Sequence, residues 1–164
     1  MQVVDKDGVH SCLPTSLLNG LIHLGSMTRE QAQAFQDTFK TTNKDIFSSR
    51  KFGESTLAVM AIPTSTFLER LKCVTGADFK YSVIGVKQLT NEELLSLLQQ
   101  RLSENELIVG GDQDHAVLMI GFDRQSNVLK IIDPYMPTQS SNVPDLSFAA
   151  DIRSGEPWLT VVSK

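Results

Sequence analysis

The sequence predicts an α+β domain in which N-terminal helices pack on a mostly antiparallel β-sheet, and three observations predict it. Through most of the first half, apolar residues recur at helical spacing behind capping residues. The second half changes to short, apolar, β-branched runs bounded by turn residues. The helical and extended patterns follow one another rather than alternating, which argues against βαβ units and a parallel sheet.

The first helix is predicted over Cys12 to Leu24, where Leu17, Leu18, Leu21, Ile22 and Leu24 supply the apolar face. Ser11 is a candidate cap, Pro14 is tolerated in a first turn, and Gly25 stands where a left-handed terminating residue is expected. A second helix is predicted from Met27 to Lys40, because Thr28 with Gln31 forms a capping box and Ala32, Phe35 and Phe39 recur at helical spacing. It should pack on the first. Thr41 to Glu54 is polar and weakly patterned and reads as a loop, and Thr64 to Cys73 reads as a third helix. A fourth spans Asn91 to Leu102, with Thr90 and Glu93 as capping box and Leu94, Leu95, Leu97, Leu98 and Leu102 on its buried side. Strands are predicted at Leu107 to Val109, Ala116 to Phe122, Val128 to Ile132 and Trp158 to Val162.

With 164 residues, no internal repeat and no Pro/Gly/Ser-rich linker, residues 1–164 read as one domain. A formal net charge of −4 and scattered Lys and Arg, the nearest thing to a cluster being Arg50-Lys51, argue against a nucleic-acid partner. No apolar run approaches the roughly 18 residues of a membrane span, and the first residues lack a signal peptide's apolar core. A soluble protein is expected, and both a secreted bacterial effector and a cytoplasmic protein fit. Two cysteines do not make a disulfide scaffold, although one bridge between Cys12 and Cys73 is open. Three histidines without CxxC, HxxxH or HExxH spacing give no metal site. The oligomeric state is left open.

Three features converge on nucleophilic chemistry. Cys12 lies in the first turn of the predicted first helix, where the macrodipole and unpartnered backbone N–H groups favour the thiolate. Those N–H groups can also hold an oxyanion. His115 follows the pair Gly110-Gly111 and directly precedes the apolar strand Ala116-Val117-Leu118-Met119-Ile120, at the rim of a sheet. Asp133 ends the next strand, in Asp133-Pro134. A hairpin centred near Arg124 or Gln125 brings His115 and Asp133 together within a residue or two. A carboxylate so placed fixes the imidazole tautomer and stabilises an imidazolium paired with a thiolate. Cys12, His115 and Asp133 are therefore the candidate nucleophile, base and orienting acid.

These residues resemble a family. Cys12-Leu13-Pro14-Thr15-Ser16 looks like the Cys-Gly-Pro-Thr-Ser opening of the C39-like branch of the papain-like cysteine peptidases. Asp114 to Asp123 looks like the histidine strand of papain-like enzymes, and Ile132-Asp133-Pro134-Tyr135 resembles the Asp-Pro motif that follows it. The order Cys, His, Asp matches as well, while Met27 to Asn105 carries no likeness. The resemblance implies a papain-like fold and a thiol protease acting on a protein or peptide through a thioester, without metal or organic cofactor. Bacterial effectors on this scaffold also deamidate glutamine side chains, so a glutamine deamidase or transamidase is the alternative.

Two departures qualify the likeness. Leu13 replaces the usual glycine, and Lys6 stands where a glutamine oxyanion donor is usual, with Gln2 the only glutamine nearby. Either Lys6 or Gln2 assists, or the Cys12 backbone works with another donor, or the oxyanion hole is altered. This departure favours a further alternative, a catalytically silent domain that only holds a peptide.

Each residue also has an ordinary reading. A helix-start cysteine is commonly a small buried hydrophobe, a histidine before a strand a rim residue and Asp-Pro a turn signal. Their joint occurrence in this order favours catalysis. Asp114 reads as a solvated charge or a group tuning His115, His10 as a loop histidine, His23 as a helix-end residue and Cys73 as a structural thiol. Trp158 reads as a core residue or a shield over the His–Asp contact.

Overall fold

The computed structural model describes residues 12–48, 56–86, 88–103, 105–111, 116–123, 125–126, 128–134, 140–144 and 158–164. Their order is α1 (Cys12–His23), α2 (Arg29–Ser48), α3 (Thr56–Thr75), β1 (Lys80–Gly85), α4 (Asn91–Arg101), β2 (Glu106–Gly111), β3 (Ala116–Asp123), β4 (Val128–Ile132), β5 (Ser140–Pro144) and β6 (Trp158–Ser163). The strands form one sheet in the order β1-β6-β2-β3-β4-β5, and every pairing is antiparallel. The molecule is therefore α+β, with helices against an antiparallel sheet.

Local chemistry sets the helix ends. α1 terminates in paired bonds from Ser26 N to Leu21 O and from Gly25 N to Ile22 O, both 3.0 Å, with Gly25 at φ 77°. This Schellman arrangement satisfies carbonyls that the helix leaves open. Thr28 and Gln31 cap α2 reciprocally, the Gln31 N–H donating to Thr28 Oγ1 and the Thr28 N–H to Gln31 Oε1. Thr90 and Glu93 do the same for α4.

The sheet carries helices on both faces, because its alternating residues divide two cores. Leu107, Val109, Ala116, Leu118, Ile132 and Val162 face the cluster built with α1, α2 and α3. Ile108, Val117, Met119, Leu129, Ile131, Leu159 and Val161 face the cluster built with α4. Across the first cluster, Phe35 of α2 meets Phe67 of α3 edge to face at 5.7 Å. Phe67 is fully buried, and such a side chain contributes about 1.5–3 kcal/mol by burial alone.

Four expectations change. The segment read as a loop from Thr41 is helical to Ser48, α2 passing a kink at Phe39 (φ −109°, ψ 16°); its polar composition carries no periodic signal. α3 begins at Thr56, upstream of Pro63, although a proline ordinarily marks a first turn. β1 and β5 were not predicted. Both are edge strands, and neither KYSVIG nor SSNVP carries the sustained apolar run that marks the central strands.

Candidate functional site

Helix α1 is buried from Leu13 to Leu21 without interruption. A helix covered on all sides normally carries apolar residues on all sides, yet Thr15, Ser16 and Asn19 are at most 1% exposed. Ser16 Oγ donates to the carbonyl oxygen of Ala116 at 3.2 Å. This bond joins α1 to the start of β3 across a hundred residues of sequence. Thr15 Oγ1 accepts from Gln36 Nε2 of α2 at 3.4 Å on another side of the helix.

One turn beyond Ser16, a Cβ built on Gly20 would lie 3.3 Å from Leu118 Cδ1 and 3.5 Å from Val162 Cγ2. The helix and β3 therefore advance together: four helix residues, about 6 Å, match two strand residues, about 6.6 Å. α1 starts over β3 and leans toward β6. Cys12, the first residue of α1, is half-buried and packs against the cluster that contains Ala116 and Ile132. Its position in the first turn leaves it beside N–H groups that have no partner within the helix.

The sheet brings the other candidate segments to the same rim. Gly111 at the end of β2 pairs with Ala116 at the start of β3, so residues 112–115 join two paired strand ends. Gly110 and Gly111 are ladder residues opposite Val117 and Ala116. Trp158, the first residue of β6, pairs with Gly111. In the neighbouring hairpin, Leu118 pairs with Ile132 and Met119 with Ile131. Asp133 directly follows, half-buried, with buried Pro134 behind it. The start of α1, the end of β2, the start of β3, the end of β4 and the start of β6 thus gather at one end of the sheet.

Of the predicted site residues, Cys12 and Asp133 are within the described structure, at this rim. His115, Asp114, Lys6 and Gln2 lie outside the described residues, as do Ser11 and His10. The Leu13 departure has a packing reason: Leu13 is 4% exposed and belongs to the core under α1. Both cysteines are free. Cys73 is exposed, on the side of α3 opposite buried Leu68 and Leu71, where Val74 is also 53% exposed. Ser16 was given no role in advance. The signal was present, since a serine among Leu13, Leu17 and Leu21 must find a buried acceptor.

Among the described residues no group of three or more His, Cys, Asp or Glu side chains could hold a metal ion, and no helix is long and apolar enough to cross a membrane. No protein-family model matches the chain, and no curated protein matches it significantly.

Proposed function

We propose that the protein is a cysteine hydrolase of papain-like type that acts on amide bonds, with Cys12 as nucleophile, His115 as base and acid, and Asp133 as the group that orients the imidazole. The observation that carries this reading is the Ser16–Ala116 hydrogen bond. It holds the helix that begins at Cys12 against the strand that His115 leads into, while β4, paired with that strand, ends at Ile132 directly before Asp133.

In the proposed reaction the Cys12 thiolate adds to an amide carbonyl, and backbone N–H groups at the start of α1 receive the oxyanion. The C–N bond breaks as the His115 imidazolium gives its proton to the leaving amine, and a thioester remains. His115 then takes a proton from water, the water oxygen displaces sulfur, and the carboxylic acid leaves. A peptide bond of a protein or peptide is the lead substrate. A glutamine side-chain amide undergoes the same steps with ammonia as leaving group. No step calls for a cofactor.

The test is iodoacetamide labelling of Cys12 against Cys73 between about pH 5 and 9, read by mass spectrometry in wild type and His115→Ala. The proposal expects Cys12 to outpace exposed Cys73 on the acid side and to lose that advantage without His115. Equal labelling of both thiols, or an advantage that survives His115→Ala, rejects it. The second reading, a silent peptide-holding domain, is favoured by Lys6 in place of the usual glutamine. It expects neither peptide hydrolysis nor ammonia release that depends on Cys12.

A further inference from the structure

We infer that Ser16 is a positioning residue for this thiol chemistry, an inference that rests on the function proposed above. Ser16 is fully buried, so its hydroxyl costs desolvation that an alanine would avoid. Its bond to the Ala116 carbonyl offsets that cost and leaves only a small net gain. Fold stability alone is a weak reason for a hydroxyl at a fully buried helix position. Directionality is a stronger one. Apolar packing is non-directional and tolerates sliding, whereas a hydrogen bond fixes one atom of α1 against one atom of β3.

Two contacts define the placement. Ser16 on Ala116 sets the helix along the strand, and the close approach of Gly20 to Leu118 and Val162 sets its height above the sheet. Cys12 and Ser16 are four residues apart and share a face of α1. Ala116 is the residue bonded to His115. The hydroxyl thereby fixes the helix that carries the thiol relative to the strand that the histidine enters, and reactive groups require that separation to be held to a fraction of an ångström. Ser16 touches no reacting atom in this scheme and acts through Cys12.

The experiment measures the pH profile of Cys12 labelling by iodoacetamide in the full chain, with Cys73 as internal reference and circular dichroism and Tm as structural controls. Ser16→Ala is expected to slow Cys12 labelling on the acid side about tenfold or more while leaving the Cys73 rate unchanged. Leu95→Ala, which opens a cavity under α4 on the other face of the sheet, is expected to lower Tm without moving the Cys12 profile. A Ser16→Ala profile like that of wild type, or the same displacement in Leu95→Ala, overturns the inference. Should Ser16→Ala not fold, Ser16→Thr and Ser16→Val decide, since they share a shape and differ in the hydroxyl. Retention of the acid-side rate in the threonine variant alone supports the role, and equal rates in both reject it. A wild-type Cys12 that never outpaces Cys73 removes the hydrolase reading itself, a result separable from wild-type reactivity that persists in Ser16→Ala.

Discussion

Leu118 of β3 stands opposite Ile132 of β4, so Asp133, which directly follows Ile132, leaves the sheet at the rim where the chain passes from His115 into β3. In the proposed mechanism Asp133 holds the tautomer whose free nitrogen meets the thiol. We predict that Asp133→Asn lowers Cys12-dependent amide hydrolysis on the order of a hundredfold or more, with the backbone fold retained by circular dichroism. Full activity in the asparagine variant would remove Asp133 from the mechanism.

The opposite end of the same hairpin yields a pH prediction. Asp123 Oδ1 accepts from the backbone N–H groups of Gln125 at 3.0 Å and Ser126 at 3.4 Å. The Ser126 side chain, first, and these two N–H groups hold the carboxyl below its ordinary range. A depressed carboxyl adds stability that is present above its unfolded value and is lost as pH falls through its folded value. Asp123→Asn should therefore flatten part of the decline in stability on the acid side. Urea unfolding of both proteins at several pH values below neutrality checks this, and parallel curves would refute it.

The hairpin also explains how much of the site was legible. A centre near Arg124 or Gln125 follows from where the β-branched runs stop, and the pairs Leu118–Ile132 and Met119–Ile131 fit the second of these. Nearer the turn, Asp123 pairs with Val128 and the register is displaced by one, because β3 carries an irregularity between Met119 and Gly121. A bulge of this kind leaves the apolar run intact, so composition cannot announce it. Capping at Thr28 and Thr90 and termination at Gly25 were readable, since each rests on residues within one turn. The Ser16–Ala116 bond was not readable, because nothing local to Ser16 names its acceptor. The division of the sheet into two covered faces was equally hidden, as α4 carries the same leucine pattern whichever face it covers.

Gly25 offers a stability test of the α1 terminus that leaves the rim untouched. Its φ of 77° lies in the left-handed region, and a Cβ there would come 3.4 Å from Lys164 Nζ. The lysine head is mobile, so the cost lies in the backbone and amounts to about 1–2 kcal/mol for any side chain in that conformation. Gly25→Ala should lower Tm by about 2–8 °C at this chain length, measured by thermal unfolding. Cys12 labelling should keep its profile, because the substitution lies at the far end of the helix. An unchanged Tm would mean that α1 can end without its Schellman bonds.

Tyr81 provides the alkaline counterpart on the edge strand β1. Burial is the first cause that raises its phenol above the ordinary range, and its hydrogen bond to Glu69 of α3 is the second. The hydroxyl donates to Glu69 Oε1 at 2.8 Å, and Lys72 Nζ lies 5.5 Å from the ring centroid. A raised phenol stabilises the fold below its unfolded value, about 10, and that contribution is lost as pH rises through the folded value. Wild type should accordingly lose stability relative to Tyr81→Phe above about pH 10, and the phenylalanine variant should be the flatter of the two. Glu69→Gln keeps an acceptor but removes the charge, so it should bring the Tyr81 ultraviolet titration midpoint partway down. A midpoint that does not move would remove the Glu69 charge as a cause and leave burial and the hydrogen bond to account for the shift.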